Sequence, residues 1–214
     1  MRSLKSVVVL SLAIGLAAFA GTPEPIALPK PNTQGGKPLM QALNERKSDR
    51  EFSAEKLSPQ TLSNLLWAAF GVNRADGKRT APSAVNRQVI DIYAVRADGA
   101  YVYNAKAHRL DPVVSGDLRP ATGTQAFVGQ APLNLVYVAD YAKMANSPDA
   151  DKAFYSAADT GFIGENVYLY CASEGLATVV RASVNKDALA KALNLRPDQK
   201  ITLAQTVGFP KRPN

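Results

Sequence analysis

Apolar residues recur at helical spacing in several stretches of the chain. Leu39, Ala42 and Leu43 share one face of a segment opened by Pro38, which predicts a short helix to about Arg46. Leu62, Leu65, Leu66 and Ala69 do the same after Ser58-Pro59. There serine is the N-cap, proline takes the first helical position and Gly71 is the stop. Trp67 and Phe70 widen that apolar face. The 149–173 stretch lacks proline and carries Phe154, Ala158, Phe162, Tyr168, Leu169 and Ala172 at three-, four- or seven-residue steps. That spacing predicts one long central helix with a near-continuous apolar surface, ended by Gly175. Asn185 caps a short helix over Lys186 to Leu193. Strand patterns cover Val89 to Val95, Tyr101 to Tyr103 after an Asp98-Gly99 turn, Leu133 to Ala139 after Pro132, and Thr202 to Val207. The polar run Asn104 to Arg109 reads as a hairpin or loop with His108 at its surface. Helices, then strands, then a long helix and a last strand predict an α+β fold.

The chain has 214 residues, 46% hydrophobic and 20% charged, which suits one globular domain. Its first twenty residues read as a secretory signal rather than as part of the fold. Arg2 and Lys5 precede an apolar run from Val7 to Leu16, and Ala18-Phe19-Ala20 offers small residues at the cleavage positions. The run is short of the ~20 residues that a spanning helix needs, so stable membrane insertion is not expected. Residues 21–37, rich in proline, glycine and polar residues, read as an extended arm, and residues 38–214 as the single domain. The expected location is outside the cytoplasm, periplasmic or secreted.

The net charge of +7 admits anionic partners, but no Lys/Arg run exceeds two residues and no aromatic pattern lies beside one. Nucleic acid is therefore not an expected partner. The chain has one cysteine, Cys171, in a helical apolar stretch, and one histidine, His108. This argues against both a His-dependent triad and a metal cage, so neither a catalytic nucleophile nor a metal ligand is assigned.

Three segments carry candidate binding chemistry. In Arg46-Lys47-Ser48-Asp49-Arg50-Glu51-Phe52, the side chains at 46, 48 and 50 point the same way if the backbone is extended. Two guanidinium forks and a hydroxyl then suit a phosphate, although a stretch this basic is also what a solvated surface looks like. Pro82-Ser83-Ala84-Val85-Asn86-Arg87-Gln88 leads into the first strand, and Val207-Gly208-Phe209-Pro210-Lys211-Arg212 ends the last one with two cations. An ordinary turn and a basic terminus are the bland readings of these two.

Taken in order, these segments, with Gly161 and Asn166 in the long helix and Gly175-Leu176 at its end, resemble the nitroreductase family of flavoproteins. Leu66-Trp67-Ala68-Ala69-Phe70-Gly71 and Tyr101-Val102-Tyr103-Asn104 are similar to the branch that contains azoline-oxidising dehydrogenases of peptide natural-product pathways. The resemblance runs from about residue 38 to 212. It implies a central mixed or antiparallel sheet flanked by helices, an intertwined homodimer, and one FMN at each of two interface sites. It further implies that Arg46 and Ser48, beside Lys47, hold the FMN phosphate and ribityl chain, and that Lys211 with Arg212 completes the phosphate site. Arg50 would lie near the pyrimidine edge, where a cation stabilises an anionic reduced flavin. Pro82, Ser83 and Asn86 would come from the other subunit to line the isoalloxazine. Backbone amides near flavin N5 would fall at Val180, Arg181 and Ala182, up to Ser183. Family members often carry Gly-Phe-Asp where this chain has Ser183-Val184-Asn185.

The implied activity is FMN-dependent oxidoreduction in two half-reactions, with small-molecule donor and acceptor using one site in turn. A quinone, a nitroaromatic or a similar electrophile would serve as acceptor, and NAD(P)H as donor in vitro. Such chemistry needs no protein nucleophile or acid/base pair, because the cofactor carries it. Two alternatives remain open on the sequence: a flavin- or ligand-binding module without turnover, and an azoline-type dehydrogenase acting on a modified peptide.

Overall fold

The computed structural model describes residues 24–211. The expected signal segment and Arg212 lie outside the described residues. Seven strands form one sheet: β1 (Ile26–Ala27), β2 (Ile90–Arg96), β3 (Gly99–Asn104), β4 (Arg109–Ser115), β5 (Leu133–Asp140), β6 (Ala177–Arg181) and β7 (Gln199–Gly208). Their order is β1-β4-β3-β2-β5-β7-β6, and every pairing between them is antiparallel. Four helices flank the sheet: α1 (Leu39–Glu45), α2 (Pro59–Phe70), the 26-residue α3 (Asp149–Glu174) and α4 (Lys186–Ala192).

Alternation along the strands assigns the two faces. Ile90, Ile92 and Ala94 of β2 and Leu133, Leu135, Tyr137 and Ala139 of β5 pack against α2 and α3. Tyr93 and Val95, with Val136 and Val138, pack against Leu189 and Leu193 at α4. β5 is buried at all eight positions because both its faces are covered. α2 begins as the sequence implies: the Ser58 hydroxyl accepts from the Thr61 N–H at 3.0 Å, and Leu62, Leu65, Leu66 and Ala69 are buried. Gly71 does end it, but in extended backbone rather than a left-handed cap. A Cβ there would lie 2.4 Å from the Trp67 ring, so close approach is what requires glycine. Gly175 is the left-handed cap of α3, with φ of 70°.

The structure corrects several expectations. β1, β4 and β6 were not foreseen as strands, and the β2–β3 turn residues are Ala97-Asp98, with Gly99 already paired to Arg96. On α1 only Ala42 is buried, while Leu39 and Leu43 are exposed. On α3 the inward face is Ser156, Asp159, Thr160, Ile163, Gly164, Val167 and Cys171, and the expected core residues Phe154 and Phe162 face outward. Small and polar residues line this face because α3 lies close on the sheet: the buried Gln205 of β7 reaches Gly164 O at 3.3 Å and accepts from Tyr137 Oη at 2.5 Å. His108 is half-buried rather than at the surface. Its Nε2 lies 2.7 Å from Ser63 Oγ and 3.1 Å from Pro29 O, and its Nδ1 2.9 Å from Tyr103 Oη, so it joins the N-terminal arm to α2 and the β3–β4 hairpin. Burial lowers its pKa.

Candidate functional site

The basic segment leaves α1 at Arg46 and runs extended along the free edge of β6. Asp49 N–H donates to Thr178 O at 2.9 Å, Ser53 N–H to Phe209 O at 2.9 Å, and Lys211 N–H to Glu51 O at 3.0 Å. These bonds stitch residues 49–53 between β6 and the end of β7, and they bring Arg50 and Lys211 to the same rim. Phe52 is the apolar anchor: it is buried beside Ala131, Ala177 and Val179, with Phe127 at 5.5 Å between ring centroids. Gly208 lets that anchor seat, since a Cβ there would lie 2.7 Å from Pro132 and 3.3 Å from the Phe52 ring.

One tyrosine organises the side chains. The half-buried Arg46 lies over the Tyr168 ring of α3, 5.3 Å from its centroid. Ser48 Oγ is 2.8 Å from Tyr168 Oη, which also accepts from the Val180 N–H of β6 at 2.9 Å. The hydroxyl therefore joins the basic segment, α3 and the sheet edge. Lys47 is offset by Asp49, 3.7 Å away and weakly paired at the surface. Arg46, Arg50 and Lys211 make no ion pair among the described residues. Three cations without carboxylate partners, plus the Ser48 hydroxyl, form a donor set that fits a dianionic phosphate.

The 82–88 segment is built differently from its sequence expectation. Pro82, Val85 and Asn86 are exposed, but the Ser83 hydroxyl turns inward and donates to Asp159 Oδ2 of α3 at 2.6 Å. It also accepts from Gln88 N–H at 2.8 Å. The faces this loop can offer to a ligand are therefore those of Pro82, Val85 and Asn86. Within β6, the Val180 amide is already engaged by Tyr168. Arg181 turns its side chain inward, 5% exposed, and donates to Thr206 Oγ1 at 3.0 Å, Thr122 O at 2.7 Å and Asn134 Oδ1 at 3.0 Å. All three acceptors are neutral, and burial alone pushes its pKa down to about 10. Its guanidinium is thus a structural tie between β5, β6, β7 and the loop before β5. Ala182, just beyond β6, is exposed. The Cys171 thiol is buried and pushed up by burial, as an inert thiol would be. Asn166 ties α3 to the end of α2 by donating to Ala68 O at 3.1 Å, and Gly161 is exposed.

Two residues of this region are absent from the sequence reading of the site. Tyr168 enters the sequence reading only as part of an apolar periodicity, and Asp159 does not enter it at all.

Comparison with known proteins places this geometry among relatives. Residues 43–209 match the model of the nitroreductase family. The Methanocaldococcus jannaschii protein named "Putative nitroreductase MJ1384" is 31% identical over 169 residues, 74% of this chain and 85% of the relative. The crystal structure of a "putative nitroreductase" from Ralstonia eutropha JMP134 superposes with a TM-score of 0.86 at 44% identity, over 90% of this chain and 92% of that one. A Desulfovibrio desulfuricans protein of the same description, solved in complex with FMN, shares the fold at 22% identity and a TM-score of 0.60, over 83% of this chain and 89% of that one.

Proposed function

The chain belongs to the nitroreductase family, and from that premise we propose that it is an FMN-dependent oxidoreductase whose cofactor clamp is Arg46, Ser48 and Lys211 at the phosphate, with Arg50 toward the flavin ring. The observation that carries this reading is Tyr168, which holds Arg46 and Ser48 at the β6 edge, with Arg50 and Lys211 on the backbone paired beside it. FMN, when bound, supplies two-electron hydride chemistry between a donor and an acceptor. The chain's own part is to bind, orient and shield. Arg46 and Lys211 offset phosphate charge, Ser48 Oγ donates a hydrogen bond, and Phe52 fixes the backbone that presents them. Arg50, fully at the rim, offers its charge to the ring end of the site. Ala182 and Ser183, exposed beyond β6, are the amides best placed to meet a ring, since Val180 N–H is already bonded.

The same reading includes a homodimer with the 82–88 loop of one subunit facing the clamp of the other. It is supported by large apolar side chains held outward on α1 and α3: Leu39 at 63% exposure, Met40 at 75%, Phe154 at 68% and Phe162 at 48%. The reading also includes export through the N-terminal segment, supported by Arg2, Lys5 and the Val7–Leu16 run. Outside the cytoplasm NAD(P)H is scarce, so the physiological donor is another reductant, and the acceptor a quinone, nitroaromatic or similar electrophile. The decisive experiment is purification of the domain with measurement of its visible spectrum, FMN content and mass in solution. A yellow dimer with about one FMN per chain is expected. Protein that stays colourless after incubation with FMN would sink the proposal, and flavin-loaded protein inert to every donor would leave a binding function only.

A further inference from the structure

The 82–88 loop holds a backbone that ordinary residues avoid. Val85, Asn86 and Gln88 have φ of 45°, 57° and 52°, all in the left-handed region, and Val85 is β-branched. Val85 nevertheless stands at the apex with its side chain 80% exposed, so no packing of its own holds it there. Conformations of this kind persist only where the surroundings impose them.

One buried carboxylate anchors the loop to the helix. Asp159 is 2% exposed on the sheet-facing side of α3. Its Oδ2 accepts from Ser83 Oγ at 2.6 Å. Ser83 Oγ in turn accepts from Gln88 N–H, closing the loop from its first residues to its last. Gln88 then accepts from Arg79 Nε at 2.7 Å and donates to Asn86 Oδ1 at 3.0 Å. One turn earlier on α3, the Tyr155 ring lies under Arg87, 5.8 Å away. With alanine in place of Asp159, the Ser83 hydroxyl would keep the Gln88 N–H but lose the acceptor that fixes it to α3.

We infer that Asp159 is the positioning residue that sets the shape of the 82–88 loop for the flavin ring, acting through Ser83. This rests on the proposed FMN function and on the loop serving the partner's clamp. Asp159 touches neither cofactor nor substrate; its effect reaches the ring through the backbone of residues 83–88 and the outward faces of Pro82, Val85 and Asn86.

The test uses the full domain in wild-type form and as Asp159→Ala and Ser83→Ala, the second variant guarding against a first that fails to fold. Amide hydrogen exchange of the FMN-free proteins reads the loop directly. In both variants the Gln88 amide is expected to lose protection while Val180 keeps its own. With FMN added, the flavin Kd is expected to change less than about threefold, because the clamp is intact. The visible circular dichroism of bound flavin should change, and kcat/KM with a quinone probe should fall on the order of tenfold to a hundredfold, the range for a misplaced positioning group. Unchanged protection of Gln88 overturns this inference alone. Lost protection with unaltered flavin dichroism and unaltered kcat/KM also overturns it, because the loop would then be held for no purpose at the ring. If wild-type protein binds no FMN, the proposed function fails and this role fails with it.

Discussion

Replacing Tyr168 by Phe removes one oxygen and leaves the ring. The structure says what that oxygen holds: Val180 N–H at 2.9 Å and Ser48 Oγ at 2.8 Å. Ser48 is exposed, so water replaces its lost partner at little net cost. Val180 is half-buried between α3 and the basic segment, and its amide loses the hydroxyl it donates to. An unpaired amide of this kind costs about 1–3 kcal/mol, less what water recovers, so about 1–2 kcal/mol is expected. For a domain of this length that lowers Tm by roughly 2–8 °C. The Arg46 contact is kept, because a Phe ring presents the same face to the guanidinium, a contact worth about 0.5–1 kcal/mol near the surface.

The binding consequence is separable from the stability one. Without the hydroxyl, Ser48 is free to rotate and the clamp must be ordered when FMN arrives. A weakening of FMN binding by about fivefold to tenfold is expected, equivalent to roughly 1–1.4 kcal/mol. Thermal unfolding of the flavin-free protein and a flavin fluorescence titration measure the two effects. A double-mutant cycle with Ser48→Ala isolates the link: if the hydroxyl orients Ser48, then Ser48→Ala weakens binding less in the Tyr168→Phe background than in the wild type. Tyr168→Phe with unchanged Tm and unchanged flavin affinity would refute the claim that this hydroxyl joins the site to the sheet.

Arg46→Ala is expected to empty the flavin site, whereas Arg50→Ala should retain flavin and slow its reduction; flavin content and stopped-flow reduction of the two variants distinguish the roles, and two fully active, flavin-loaded variants would contradict the clamp. Gly175→Ala should destabilise the fold by about 1 kcal/mol in urea unfolding, purely from the left-handed backbone, since nothing lies within 4 Å of the new Cβ; Gly175→Asn should lose less. His108 has its pKa lowered by burial, so its neutral form contributes stability that is complete above the unfolded value of about 6.5 and is lost as pH falls through the lower folded value. Wild-type protein should therefore lose more stability between pH 7 and pH 5 than His108→Gln, and equal losses would show that His108 does not fasten the arm.

The parts of this fold legible in the sequence are those whose signals are local. Ser58, Pro59 and the leucines of α2 specify a start, a direction and a buried face within twelve residues. β2 and β5 follow from apolar runs too long and too alternating to be anything else. β4 escaped because Asp111 and Pro112 interrupt its alternation, and its pairing with β3 supplies what its own sequence lacks. β6 escaped because it begins two residues after Gly175 and carries Thr178 and Arg181 among its valines. Once Arg181 is seen buried, its placement is understandable, but Thr122, Asn134 and Thr206 reach it from three segments far apart in the chain. No local pattern announces a charge that is solvated by neutral groups instead of water.

The candidate site shows the same division at finer scale. Alternation in Arg46-x-Ser48-x-Arg50 correctly implies that the first two side chains share a side, and both do reach Tyr168. It cannot imply Tyr168 itself, because that residue comes 120 positions later and acts only once α3 lies along β6. The loop-anchoring role of Asp159 is hidden for the same reason: one acid among five in an amphipathic helix reads as a solvated face until the loop from 82 to 88 folds onto it. The two residues resemble each other in what they do. Each projects from α3, each holds a separate chain segment, and each meets a serine of the candidate site through a side-chain oxygen. α3 is thus the rigid element against which both halves of the site are set. Substitutions on its Tyr168 face should act on phosphate binding and those on its Asp159 face on the ring. Flavin affinity and flavin dichroism, measured side by side in Tyr168→Phe and Asp159→Ala, would show that separation or its absence.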